Sequence, residues 1–175
     1  PTRCSRSSWT VSRNFMPRIC VVGGGRWGQN HIRTLHELDM LAGIVDVDAQ
    51  RLEHFAELYP KATQFPTLDE ALEAEFDGFT VATPAHTHFD LAGRILRAGF
   101  PVMVEKPLAL NANEAVALKR IADTAEQQLM VGHLMLFHQV IGKVVVLEPA
   151  YLTLNLCCLF LSLCHFLEPP LAVGF

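Results

Sequence analysis

Apolar residues between positions 19 and 133 recur in two alternating rhythms. Ile19-Cys20-Val21-Val22 is a continuous apolar run that stops at three glycines, which predicts a strand buried on both faces. Residues 26–38 bring Ile32, Leu35 and Leu38 to one side, the spacing of an amphipathic helix. Residues 41–47 form a second buried strand. Asp48 stands at a capping position before a helix over 49–58, with Leu52, Phe55 and Ala56 facing inward and Pro60 closing it. A short strand at 62–65 and a small helix at 68–75 follow, then a buried strand at 79–82 ended by Thr83-Pro84. Leu91, Ala92, Ile95 and Leu96 stripe a helix over 88–98, with Gly99 as its C-terminal cap. A strand at 101–104 runs into Glu105-Lys106-Pro107. Asn111, with Glu114 three residues on, starts a helix to about residue 127 in the manner of a capping box, and 129–133 is the last strand. Strands alternating with helices pair in parallel through right-handed crossovers, so the predicted class is an open, doubly wound α/β sheet.

Composition bounds the partners. The chain has 175 residues, 50% of them hydrophobic, and a net charge of −4. High apolar content with low net charge excludes disorder for the bulk of the chain. The slightly acidic balance argues against a nucleic-acid partner held by phosphate neutralisation. The charges are unevenly spread: no acid precedes Glu37, and Lys143 is the last basic residue. Three zones follow: a basic leader over 1–15, a balanced body over 16–145, and an apolar tail over 146–175.

The leader carries Arg3, Arg6 and Arg13 among serines, as organelle transit peptides do, although non-native sequence ahead of a start at Met16 is favoured. In the tail, Ala150 to Leu167 is an 18-residue stretch without charge, close to the roughly 20 residues of a membrane helix. Its period-two alternation at Leu152, Leu154 and Leu156, and the absence of flanking Lys or Arg, favour a buried strand or an unstructured apolar segment over a span. An exposed apolar tail would also promote homo-oligomers. The five cysteines lack metal-ligand spacing, so no metal site is expected, and their odd number favours a reducing, cytoplasmic setting.

Between the first strand and first helix lies Gly23-Gly24-Gly25-Arg26-Trp27-Gly28, which is G-x-G-x-x-G in the strand–loop–helix context of a dinucleotide site. Gly23 permits the tight turn, Gly25 lets a pyrophosphate approach the backbone, and Gly28 lets helix and strand pack closely. The helix then offers unpaired N–H groups and its positive dipole end, with Arg26 and Trp27 in its first turn. Asp46, eighteen residues after Gly28, is placed to accept hydrogen bonds from an adenosine ribose. Its charge would repel a 2′-phosphate, so NAD is favoured over NADP. Asp48 is sufficiently explained as a helix cap.

With Gly23 to Gly28, Asp46, Thr83-Pro84 and Glu105-Lys106-Pro107, residues 17–145 resemble the N-terminal half of the glucose–fructose oxidoreductase, inositol dehydrogenase and MocA family. Arg26-Trp27-Gly28-Gln29-Asn30 and Gly132-His133-Leu134-Met135 look like its subgroup acting on nucleotide-linked amino sugars. The resemblance implies a Rossmann-type fold, NAD as cofactor, a sugar or nucleotide-sugar substrate, and Lys106 in the active site beside nicotinamide and substrate hydroxyl. It further implies that Glu105 orients Lys106, that Pro107 fixes the turn, and that Thr83, Pro84 and His88 flank the cofactor. His133 and His138 are the implied substrate-side residues. The family also continues into a second, α+β domain that residues 146–175 do not match. The expected activity is hydride transfer from a ring CH–OH of a nucleotide-linked, possibly N-acetylated sugar to NAD, incomplete without that domain. The alternative is a non-catalytic dinucleotide-binding module acting in regulation or protein interaction.

Overall fold

The computed structural model describes residues 16–133. The expected leader, the apolar tail and His138 lie outside the described residues. Contacts group the chain into one compact unit, Pro1–Met130, and a second, Val131–Phe175.

Six strands form one sheet: β1 (Ile19–Val22), β2 (Leu41–Val45), β3 (Thr63–Phe65), β4 (Gly78–Val81), β5 (Val102–Glu105) and β6 (Leu129–Gly132). Their spatial order is β3-β2-β1-β4-β5-β6, and β1 pairs in parallel with both β2 and β4. The β2–β3 and β4–β5 pairs are parallel too. The chain thus winds outward from β1 in one direction, returns, and winds outward in the other. The crevice between β1 and β4 is the switch point where open α/β sheets bind ligands.

Among the described residues, five α-helices cover the sheet: α1 (Arg26–Glu37), α2 (Ala49–Leu58), α3 (Leu68–Leu72), α4 (His88–Arg97) and α5 (Ala112–Thr124). Successive strand residues point to opposite faces, and this sorts the core into two layers. Val21 and Ile44 pack with Ile32 of α1, Phe55 of α2 and Ala62 on one face. Cys20, Val22, Phe79, Val81, Val102 and Val104 pack with α3, α4 and α5 on the other, through Leu68, Ile95, Leu96 and Leu118. Each of these fully buried aliphatic side chains contributes about 1.5–3 kcal/mol.

Local chemistry sets the helix ends. Asp48 caps α2 by accepting from the N–H groups of Gln50 and Arg51. Gly99 takes φ +88° just after α4, where a side chain would be strained. Asn111 accepts from the Glu114 N–H at 3.0 Å, as the capping box requires. The return bond differs: Glu114 accepts from Leu110 N–H instead of that of Asn111. Several expected elements are longer than observed. α3 ends at Leu72 and α5 at Thr124. Leu38 and Ala56, expected to face inward, are exposed. Leu38 is the C-cap of α1, past the last helical turn, where the amphipathic spacing no longer aims a side chain at the core.

Candidate functional site

The loops that follow β1, β2, β4 and β5 emerge at the carboxyl edge of the sheet. Gly23 leaves β1 with φ +95°, and its N–H donates to Val45 O at 2.8 Å. A Cβ there would meet Thr83 Cγ2 at 2.8 Å, so the β1 and β4 loops touch at this glycine. A Cβ on Gly28 would lie 1.8 Å from Gly23 O, so α1 rests directly on the end of β1.

Gly25 differs from both. A Cβ there would have nothing within 4 Å. Gly25 is the N-cap of α1, with no side-chain cap and no acidic residue in the first turn. An open cradle therefore lies against uncapped N–H groups at the positive end of the helix dipole. That is the geometry a pyrophosphate needs, so the residues present fit a dinucleotide. Arg26 and Trp27, expected at the cofactor, are both exposed beside it.

Gly24 holds the x position of the motif, yet it is constrained. Its N–H donates to Asp46 Oδ2 at 2.7 Å, and a Cβ would sit 2.2 Å from the Phe55 ring. Asp46 is 5% exposed, and both its oxygens accept hydrogen bonds. Its Oδ2 also accepts from Arg51 Nη1 at 3.0 Å, and its Oδ1 from Asp48 N–H at 2.9 Å. Arg51 reaches Asp48 Oδ2 at 3.0 Å as well. The Asp48 carboxyl is held below its ordinary value, chiefly by the Arg51 N–H it caps and against a smaller opposing effect of burial. Two carboxylates thus occupy the one guanidinium, and a 2′-phosphate placed here would meet both.

The β4 loop is tied by hydroxyls. Thr87 donates to Pro84 O at 2.8 Å, so Thr83 donates to Thr87 Oγ1 at 2.7 Å. His88, implied by the resemblance to flank the cofactor, lies between the loops after β4 and β5. It is 1% exposed, with Nδ1 2.7 Å from Pro107 O and Nε2 2.8 Å from Thr83 O. Both nitrogens are committed to protein carbonyls, one in each loop.

Glu105 ends β5 at 5% exposure. Its Oε1 lies 2.7 Å from Nε2 of His31, and its Oε2 accepts from the Lys106 N–H at 3.2 Å. The carboxyl is held below the ordinary 4.5 of a glutamate, first by the His31 hydrogen bond, with burial opposing it. Lys106 is exposed, and the Lys106–Pro107 peptide is cis. His133 is exposed after β6, its N–H donating to Val131 O at 2.8 Å.

A depressed folded-state pKa makes the stabilising contribution of Glu105 present above the unfolded value of 4.5 and lost as pH falls through the folded one. Wild type is therefore expected to lose more stability than Glu105→Gln when acidified from about pH 6 to about pH 3.5. Urea denaturation at both pH values checks this. Equal losses would contradict it.

Three residues in this arrangement escaped sequence reasoning: Gly24, His31 and Arg51. A signal existed for His31, because Gly28, His31, Ile32 and Leu35 follow the i, i+3, i+4, i+7 stripe of a buried helix face.

Strand order, the switch-point cradle and the carboxylate at the end of β2 together define a dinucleotide-binding α/β domain. The chain belongs to the glucose–fructose oxidoreductase, inositol dehydrogenase and MocA oxidoreductase family, whose NAD-binding Rossmann-fold model matches residues 17–133. It is 38% identical over 125 residues to the UDP-N-acetylglucosamine 3-dehydrogenase of Acidithiobacillus ferrooxidans, covering 71% of this chain and 39% of that one. The solved structure of an Acidithiobacillus ferrooxidans UDP-N-acetylglucosamine 3-dehydrogenase matches with a TM-score of 0.68 at 32% identity, covering 73% of this chain and 40% of that one. The WlbA dehydrogenase of Bordetella pertussis, solved with NADH and UDP-GlcNAcA, matches with a TM-score of 0.70 at 26% identity, covering 74% of this chain and 41% of that one. The chain therefore spans about 40% of the length of these relatives. Among the described residues, no helix is long and apolar enough to cross a membrane.

Proposed function

We propose that this chain is the cofactor half of an NAD-linked dehydrogenase acting on a ring CH–OH of a nucleotide-linked, N-acetylated sugar. The observation that carries this reading is the open cradle at Gly25, beside Asp46 and on the same sheet edge as Lys106. The substrate class is supported by the relatives named for UDP-N-acetylglucosamine and solved with UDP-GlcNAcA.

Bound NAD supplies the hydride acceptor. The α1 N-terminus holds its pyrophosphate, and Gly25 keeps that space clear. Asp46 would accept hydrogen bonds from the adenosine ribose. The Lys106 ammonium stabilises the developing alkoxide, or lowers the pKa of the group that takes the hydroxyl proton. Glu105 fixes the backbone from which Lys106 projects. His133 and His138 belong to the sugar side in this reading.

Calorimetric titration is expected to give NAD binding at least about 10-fold tighter than NADP, a difference of about 1.4 kcal/mol. NADH formation with UDP-N-acetylglucosamine is then compared between wild type and Lys106→Ala. Turnover that survives Lys106→Ala, or NADP bound as tightly as NAD, overturns the reading. NAD binding without turnover on any nucleotide sugar, even with the second domain of a family member supplied, reduces it to a dinucleotide-binding module.

A further inference from the structure

We propose that His31 is a positioning residue for Lys106, holding the Glu105 carboxylate so that it fixes the Lys106 backbone. This rests on the assignment of Lys106 to the substrate side of the site. The geometry begins with strand alternation. Val102 and Val104 turn into the core beneath α4 and α5, so Glu105 turns to the opposite face, where α1 lies. His31, in the second turn of α1, meets it there at 2.7 Å.

An ionised carboxylate only accepts, so Nε2 of His31 donates in this contact. The two oxygens of Glu105 then divide their work. Oε1 is anchored on α1, and Oε2 accepts from the Lys106 N–H at 3.2 Å. The Glu105 side chain is 7% exposed and that of His31 19%, so water competes weakly for either oxygen. Without the His31 donor, Oε1 would be a nearly buried anionic acceptor with a missing partner. The carboxylate would gain by rotating toward solvent, and Oε2 would leave the Lys106 N–H. The helix that opens at the glycine cradle is thereby linked through one carboxylate to the residue proposed for the chemistry.

The test is amide hydrogen exchange followed by NMR on this chain without ligand. His31→Phe keeps the ring and removes the donor; His31→Leu removes both; His31→Gln retains an N–H at the reach of Nε2. In the first two, exchange at the Lys106 amide is expected to accelerate at least about 10-fold, as the loss of a charge-assisted hydrogen bond implies. Its chemical shift should move, while the core amides of Val21 and Ile95 stay as in wild type. His31→Gln should restore the Lys106 signal. Unchanged Lys106 exchange overturns the proposal, and so does acceleration shared equally by Val21 and Ile95, which would make His31 a general support of the fold. Failure of both the Phe and Leu variants to fold overturns it for the same reason. NAD titration of the same samples is read separately: wild type that does not bind NAD removes the proposed function and leaves the amide result standing.

Discussion

Gly28→Ala is expected to lose NAD affinity by about 100-fold or more and to lower stability by about 1–3 kcal/mol, the usual cost of overpacking. The added Cβ would lie 1.8 Å from Gly23 O and 2.8 Å from Gly23 C, both backbone atoms. No rotamer change relieves such a contact, so α1 or the β1 turn must shift. Alanine would otherwise favour the helix by roughly 0.5–1 kcal/mol over glycine, and the collision has to outweigh that gain. Gly25→Ala gives the contrast. Its Cβ would meet nothing within 4 Å, and its φ of −67° is open to any residue, so stability should stay within about 0.5 kcal/mol of wild type. Its NAD affinity should still fall, because the Cβ fills the cradle. Urea denaturation and calorimetric NAD titration of both variants read the two quantities independently. Gly28→Ala binding NAD as tightly as wild type would mean that the cradle is not where the dinucleotide sits.

These two glycines also mark how far the sequence could be read. The strand–helix alternation was legible because buried parallel strands are short apolar runs and their helices carry amphipathic stripes. Both signals are local. The roles of Gly23, Gly25 and Gly28 were legible for the same reason, since spacing within one turn determines them. The partners that a side chain meets across the fold are not local. Asp46 could be singled out from its distance to Gly28, but nothing near it in sequence reveals that Gly24 and Arg51 hold its carboxylate. His31 and Glu105 are separated by 74 positions, and strand alternation together with helix placement brings them within 2.7 Å. Element ends were the other weak point. A polar residue after a strand, such as Asp46 after Val45, can continue the strand or begin the loop at little cost in local preference.

The second large effect is expected at His88, which the resemblance places near the cofactor and the structure places between two loops. The ring joins Thr83 O to Pro107 O at 2.8 and 2.7 Å, with 1% of its surface exposed. Carbonyl oxygens only accept, so a ring nitrogen serves its loop by donating. His88→Leu fills similar space with no donor and takes from the part-buried Thr83 and Pro107 carbonyls the ring that joins them. An unsatisfied buried group costs about 1–3 kcal/mol, and the variant should lose about that much in urea denaturation. That is a large fraction of the roughly 5–15 kcal/mol that holds a domain folded. His88→Gln, with a donor able to reach one carbonyl, should lose less. The loss should extend to NAD affinity, because the Thr83 loop lies against Gly23 at the mouth of the cradle. A His88→Leu variant within about 0.5 kcal/mol of wild type would mean that neither carbonyl depends on the ring. The loops after β4 and β5 would then owe their placement to other contacts, the Thr83–Thr87–Pro84 hydroxyl chain and the His31–Glu105 link among them.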